Sequence, residues 1–240
     1  MTPEVTICLL NWKRPANLPV ILESFAAQTV PCQVYLWNNG APLPESVTRH
    51  PLVKMVVDSD CNLCCLPRWW LASIADTDYV TSWDDDTAMA DPLLLADSLA
   101  AHKKECPNGI IGTDGWIYVK GQTYYRGKHI RGSAGGMNVD VIKGGYMFMP
   151  RRLLKDVPLY LPCFPQLAPG PWAAPFRAED IMVSLCVSKG QPGFHRVPAI
   201  LAKRKKMLPS NDALSTQKEH LGIRDAAYKL LMLHFGKGIR

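Results

Sequence analysis

Three aspartates stand side by side at Asp84, Asp85 and Asp86, directly behind a segment, ADTDYVTSW, that reads as a strand. Adjacent carboxylates repel one another. Capping and the helix dipole explain one or two aspartates ahead of a helix, but not three directly after a β run. A hard divalent cation does explain them, because it takes carboxylate oxygens as ligands and its charge relieves the repulsion.

Other residues with chemical potential are spread along the chain. Arg14 follows the first strand-like run, and its planar fork matches phosphate oxygens; the alternative is a solvated charge beside Lys13. Glu179 and Asp180 open a helix behind a proline-dense segment, LPCFPQLAPGPWAAPF. Dipole complementarity alone would favour acids there, and so would general-base chemistry. His220 and Arg224 lie one turn apart on a C-terminal helix. The basic run Lys203, Arg204, Lys205 and Lys206 suits an anion, a lid or a membrane surface. Gly144 and Gly145 allow close approach of a ligand to backbone, and Trp116, Tyr146 and Trp172 are candidates for ring stacking. Cys61 and Cys64 have zinc-like spacing, but no second pair accompanies them, so reduced thiols are expected.

The elements that must position these residues alternate. VTICLL, CQVYLWNNG, LVKMVVDSD and DYVTSW read as strands, with helices at LPVILESFAAQ and LPRWWLASIAD between them. This order predicts an α/β fold, a mostly parallel sheet flanked by helices. Ligands of such sheets bind at the carboxyl ends of strands, where Asn11, Asn38, the stretch 58–62 and the aspartate triplet all fall. A helix at ADPLLLADSLAAHKK follows, then extended segments at GIIGTDGWIYV and QTYYRGKHI. VDVIKGGYMFMPRRLLKDV combines a loop, a strand and a helix start; AEDIMVSLCVSKG is a helix ending at Gly190. ALSTQKEHLGIRDAAYKLLMLHFG is a helix with a break near Gly222. The 240 residues are read as one domain, with a nucleotide-binding half at 1–90 and a less regular half at 91–240.

The series NWKRP, WNNG, CNLCCLPRW, WDDDT, KGGYMF, FRAEDIMVSL, KRKKM and ALSTQKEHLGIR resembles the GT-A fold glycosyltransferases. It is most similar to their exostosin-like members, which share a Trp-Asn-Asn strand end, an Asp-Asp-Asp-Thr triplet, a Glu-Asp-Ile helix and a final His-x-x-x-Arg. The resemblance implies transfer of a sugar from a nucleotide-sugar, with a UDP-sugar as donor, to a saccharide acceptor with retention. It implies Mn2+ or Mg2+ held by Asp86, with His220 ligating the metal or touching the diphosphate. Asp84 and Asp85 would contact the ribose and donor-sugar hydroxyls. Asn11, Arg14 and Asn38 would hold the base and phosphate side, and Asn62 and Arg68 echo the family's Asn and Arg after strand three. Asp180, with Glu179, would face the anomeric carbon, and Arg224 would neutralise the departing diphosphate. An inverting transferase with Asp180 as general base, or a sugar-binding module without turnover, are the alternatives. A nucleotidyltransferase would need a glycine-rich loop where NWKRPANL stands.

The net charge of +6 is compatible with an anionic ligand, a nucleic acid or a membrane surface. With the resemblance, the expected partner is the donor phosphate and not a nucleic acid. No apolar run approaches the roughly 18 residues of a membrane span, and VTICLL is too short for a signal-peptide core. The expected setting is cytoplasmic, with peripheral membrane contact through Lys203–Lys206.

Overall fold

The computed structural model describes residues 2–40, 42–119, 122–132, 136–157, 177–210 and 218–235. β1 (Val5–Asn11) is a run of apolar residues buried from end to end, as a central strand covered on both faces requires. α1 (Leu18–Ala26) follows, burying Leu18, Ile21, Leu22 and Phe25 at helical spacing. Next come β2 (Cys32–Asn38), a one-turn α2 (Glu45–Thr48), β3 (Val53–Asp58), α3 (Pro67–Ser73) and β4 (Tyr79–Trp83). β2 and β4 flank β1 in parallel, and β3 extends beyond β2, also in parallel. The alternating α/β order therefore yields the mainly parallel sheet that the sequence predicts.

After the triplet the chain makes a short strand, β5 (Thr87–Met89), and then α4 (Leu94–Glu105). The less regular half contributes β6 (Ile111–Gly112), β7 (Asp114–Ile117), β8 (Lys128–Arg131), β9 (Met137–Val139), β10 (Val141–Ile142) and β11 (Met147–Pro150). α5 (Glu179–Ser188), β12 (His195–Val197), β13 (Lys205–Met207) and α6 (Lys218–His234) complete it. The main sheet runs in the order β3-β2-β1-β4-β11-β6-β12-β9, with β11 antiparallel to β4. β10-β7-β8 form a second sheet, and β13 pairs with β5.

Two apolar cores follow from strand alternation. Val5, Ile7 and Leu9 join Val34, Leu36, Trp83 and Phe148 on the face covered by α1 and α4. Cys8 and Val80 join Met147 and Met149 on the opposite face, under α3 and α5. Phe25 of α1 meets Trp83 edge-on, with ring centroids 5.4 Å apart. That contact holds α1 against the residue immediately before the triplet.

Several expectations change. The helix start predicted after Pro150 is a 3-10 segment, Arg151–Asp156, and the YYR of QTYYRGKHI is another, Tyr124–Arg126, ahead of β8. α6 runs unbroken through Gly222. A glycine there costs about 1 kcal/mol relative to alanine, and burial of Ala227, Tyr228 and Leu231 holds the helix in place. The proline-dense loop, with Trp172, lies outside the described residues. Among the described residues no helix is long and apolar enough to cross a membrane.

Phe25→Ala removes a side chain that is 1% exposed. It is expected to lower the free energy of unfolding by about 3–5 kcal/mol, read from urea denaturation.

Candidate functional site

Loops, strand ends and helices from separate stretches of the chain enclose one cavity of about 330 Å³, within the size range of small-ligand sites. It lies at the carboxyl ends of the parallel strands. Arg14, Asn62, Arg68, all three triplet aspartates, Glu179, Asp180, His220 and Arg224 line it. The structure thus gathers most of the candidates picked out from the sequence.

The triplet occupies the tight connection between β4 and β5, and each carboxylate has its own environment. Asp84 is partly open to solvent and accepts a hydrogen bond from Arg68 Nη2 at 2.6 Å. Asp85 is buried; it accepts from Arg14 Nη1 at 2.6 Å and from the Trp12 amide at 2.6 Å. Burial pushes its carboxyl up to about 6, against the lowering effect of those donors. Asp86 accepts from the Ser210 hydroxyl at 3.2 Å, and burial, followed by the charge of Asp84, raises its proton affinity.

β13 accounts for the basic run. Lys205 pairs with Met89 in the register of β13 with β5, placing the basic residues beside the triplet. Arg204 is tied to Asp91 and Asp97. The Lys205 ammonium lies 3.6 Å from Asp114. Lys203 and Lys206 are exposed. The run is therefore divided: Arg204 and Lys205 are held in ion pairs, whereas Lys203 and Lys206 face solvent, so it is not a uniform patch.

The opposite wall is the start of α5. Asp180 is buried and forms a bidentate pair with Arg224 of α6, both contacts at 2.8 Å. The Ile181 amide donates to Oδ1 at 2.9 Å, and the Gly144 amide to Oδ2 at 3.2 Å. Burial opposes ionisation, but the Arg224 charge and these bonds outweigh it and hold the carboxyl below its ordinary value. Glu179 goes the other way: burial, then the neighbouring Asp180 charge, push it up to about 8. The cavity therefore presents a fixed carboxylate beside a proton-holding one. A Cβ on Gly144 would lie 2.8 Å from Glu179 Oε1, so any larger residue where this loop meets α5 would push the Glu179 carboxyl aside. Burial, followed by the Arg224 charge, pulls the His220 imidazole down to about 4 and leaves it neutral. Among the described residues its buried Nδ1 has no hydrogen-bond partner.

Three expected contacts are corrected. Asn11 and Asn38 do not line the cavity. Asn11 Nδ2 donates to Asn38 Oδ1 at 2.7 Å, and Asn38 Nδ2 to Asp58 Oδ1 at 2.7 Å, so they tie together the ends of β1, β2 and β3. Tyr146 is a core residue: it is buried against Trp83, with its hydroxyl 2.6 Å from Ser98 Oγ. Arg68 reaches the cavity from a buried position, with its donors spent on Asp84, the Gly144 carbonyl and the Cys65 carbonyl. Trp116 does line the cavity, stacked on Tyr124 at 5.3 Å.

Sequence reasoning missed Asn39, Lys143 and Arg177. Asn39 lines the cavity and pins the cysteine loop by accepting from the Leu63 amide at 3.0 Å and donating to the Cys64 carbonyl at 3.2 Å. The Asn-Asn-Gly turn was its signal, with the second asparagine facing the ligand space. Lys143 precedes the glycine pair, and burial lowers its proton affinity while Asp180 opposes the drop. Arg177 stands two residues ahead of Glu179.

Solved structures share this architecture. A mannosyltransferase from Pyrobaculum calidifontis, PcManGT, in complex with GDP-Man and Mn2+, matches at TM-score 0.54 and 14% identity, over 84% of this chain and 56% of its own. S. aureus TarS 1-349 in complex with UDP-GlcNAc matches at TM-score 0.61 and 14% identity, over 98% and 66%. The fold is the one these glycosyltransferases have. A second TarS 1-349 structure matches at TM-score 0.54 and 16% identity, over 83% and 59%. The chain thus spans 56% to 66% of the length of these structures. No protein-family model matches the sequence, and no curated protein matches it.

The raised proton affinity of Glu179 has a measurable sign. An unfolded glutamate releases its proton near 4.5, whereas the folded chain holds it to about 8. Between those values the native state binds more protons, so this group erodes stability as pH rises. Glu179→Gln is expected to gain stability relative to the parent from pH 5 to pH 8, measured by urea unfolding at both; a constant difference contradicts the assignment.

Proposed function

We propose that this protein is a glycosyltransferase that moves a sugar from a nucleotide-sugar, with a UDP-sugar as the favoured donor, to a saccharide acceptor. The observation that carries this reading is the convergence on one cavity of the triplet with Glu179, Asp180, His220 and Arg224. The shared fold of PcManGT and TarS supports it, since those proteins were captured with GDP-Man and UDP-GlcNAc. The division into a donor-binding half at 1–90 and an acceptor-binding half at 91–240 belongs to the same proposal, as does the exostosin-like kinship, which rests on the motif series.

A divalent cation, Mn2+ or Mg2+, fits the residues present. Among the described residues no three His, Cys, Asp or Glu side chains form a metal cage. Such ions are commonly held by one or two carboxylates, with phosphates and water completing the shell. Asp86 supplies a hard carboxylate and His220 a neutral ring with an unpartnered buried nitrogen. When bound, the cation would supply positive charge to the diphosphate. The chain's own residues do the rest. Asp84, Asn62 and Trp12 bound the donor space, while Arg14 orients Asp85. Arg224 places positive charge near the leaving group and simultaneously holds Asp180 ionised.

That geometry favours retention. Asp180 accepts four hydrogen bonds, so it is a poor general base. It is suited to be a fixed negative charge facing the sugar as the bond from the anomeric carbon to the diphosphate breaks. The acceptor oxygen then bonds to that carbon on the same face, and its proton passes to the departing diphosphate oxygen. A second reading has its own support: Glu179, with proton affinity raised to about 8, would serve as general base for inversion. NMR of the product's anomeric centre separates the two, and an inverted centre sinks the retaining route.

Asp86→Ala is expected to abolish Mn2+-dependent binding of UDP while the fold survives. Calorimetry with and without Mn2+ checks this; undiminished metal-dependent binding refutes the role of Asp86. Asp180→Asn is expected to keep donor binding and to lower turnover by at least about a hundredfold, measured as release of UDP from a nucleotide-sugar panel.

A further inference from the structure

Arg177 carries a demand that the described residues do not meet. Among them, its Nε and Nη1 are buried and have no hydrogen-bond acceptor. The other three guanidinium groups of the cavity wall each have a carboxylate: Arg14 with Asp85 at 2.6 Å, Arg68 with Asp84 at 2.6 Å, and Arg224 with Asp180 at 2.8 Å. Arg177 instead stands against the Cys64 thiol and near His220, between the loop after β3 and α6. Its position is not accidental, because its backbone carbonyl accepts from Arg224 Nη1 at 3.2 Å. A buried donor left unmet costs the full desolvation of that group. A guanidinium held this way in a cavity wall suits an oxygen that arrives with a ligand, and its planar donors match the oxygens of phosphate or carboxylate.

We propose that Arg177 reads an oxyanion, a phosphate or a carboxylate, on a substrate of this site. The inference rests on the cavity being the donor and acceptor site, and it adds a specificity-determining residue to it. The oxyanion has two sources, the diphosphate of the donor or an acidic group on the acceptor.

Calorimetry on the intact chain distinguishes them. Parent and Arg177→Gln are titrated with UDP and with uridine in the presence of Mn2+. Each UDP-loaded protein is then titrated with glucuronate and with glucose 6-phosphate. If the donor diphosphate is the ligand, UDP binding weakens about ten- to a hundredfold and uridine binding does not change. If an acidic acceptor is the ligand, UDP binding holds and the acidic sugars lose affinity by a similar factor. Either result supports the role of Arg177. Binding of UDP and of both acidic sugars within twofold of the parent overturns it and leaves the sugar-transfer reading standing. A parent that binds the acidic sugars but not UDP, with Arg177→Gln losing them, sinks the donor reading and keeps the Arg177 site. A parent that binds none of the probes overturns both. Arg177→Met keeps the aliphatic stem and is read by the same criteria if the Gln variant does not fold. Its urea midpoint should equal or exceed the parent's, since the substitution deletes unmet donors; a lowered midpoint with unchanged binding marks Arg177 as merely structural and overturns the proposal.

Discussion

Three neighbouring carboxylates share one strand end, and the site depends on how their repulsion is resolved. Each finds a different solution. Asp84 leans on Arg68, Asp85 is buried against Arg14 and the Trp12 amide, and Asp86 meets Ser210. These contacts come from three separate regions of the chain. Compensating the triplet therefore draws the loop after β1, the start of α3 and the segment after β13 to one place. The cavity is the space that this convergence leaves.

The same economy of charge governs the opposite wall. Asp180 and Arg224 are both buried, and a buried pair must have good geometry to offset its desolvation. The bidentate contact and the two backbone donors supply that geometry. One consequence falls on Glu179, which sits beside a permanent negative charge in a dry place and so keeps its proton. Two adjacent acids thereby acquire opposite characters, and neither residue could be assigned its character without the other.

Much of this was legible in the sequence. The continuous apolar run of β1 and the helical spacing of α1 identify the alternating half, and the triplet marks its ligand-binding edge. The pairs Glu179/Asp180 and His220/Arg224 were readable as chemistry because charged residues at helix positions within apolar surroundings need a reason. Other features were hidden by distance. Nothing local tells that Lys205 pairs with Met89, because strand pairing across more than a hundred residues leaves no periodic trace. Asn11 and Asn38 have the composition of ligand contacts, but at neighbouring strand ends they are near enough to hydrogen-bond to one another. Tyr146 could be read as a stacking platform until its hydroxyl found Ser98 in the core.

The pairing of β5 with β13 also bears on how the protein acquires its site. The triplet turn is bracketed by β4 on one side and by a ribbon whose second strand arrives only at Lys205 on the other. Closing a loop of that length is entropically costly and tends to come late in folding. On a ribosome, the alternating half would emerge and collapse while the triplet still lacked its ribbon partner and the Ser210 contact. The packing of α1 on β1 and β2 thus rests on local segments, whereas the completed triplet turn waits for the last third of the chain.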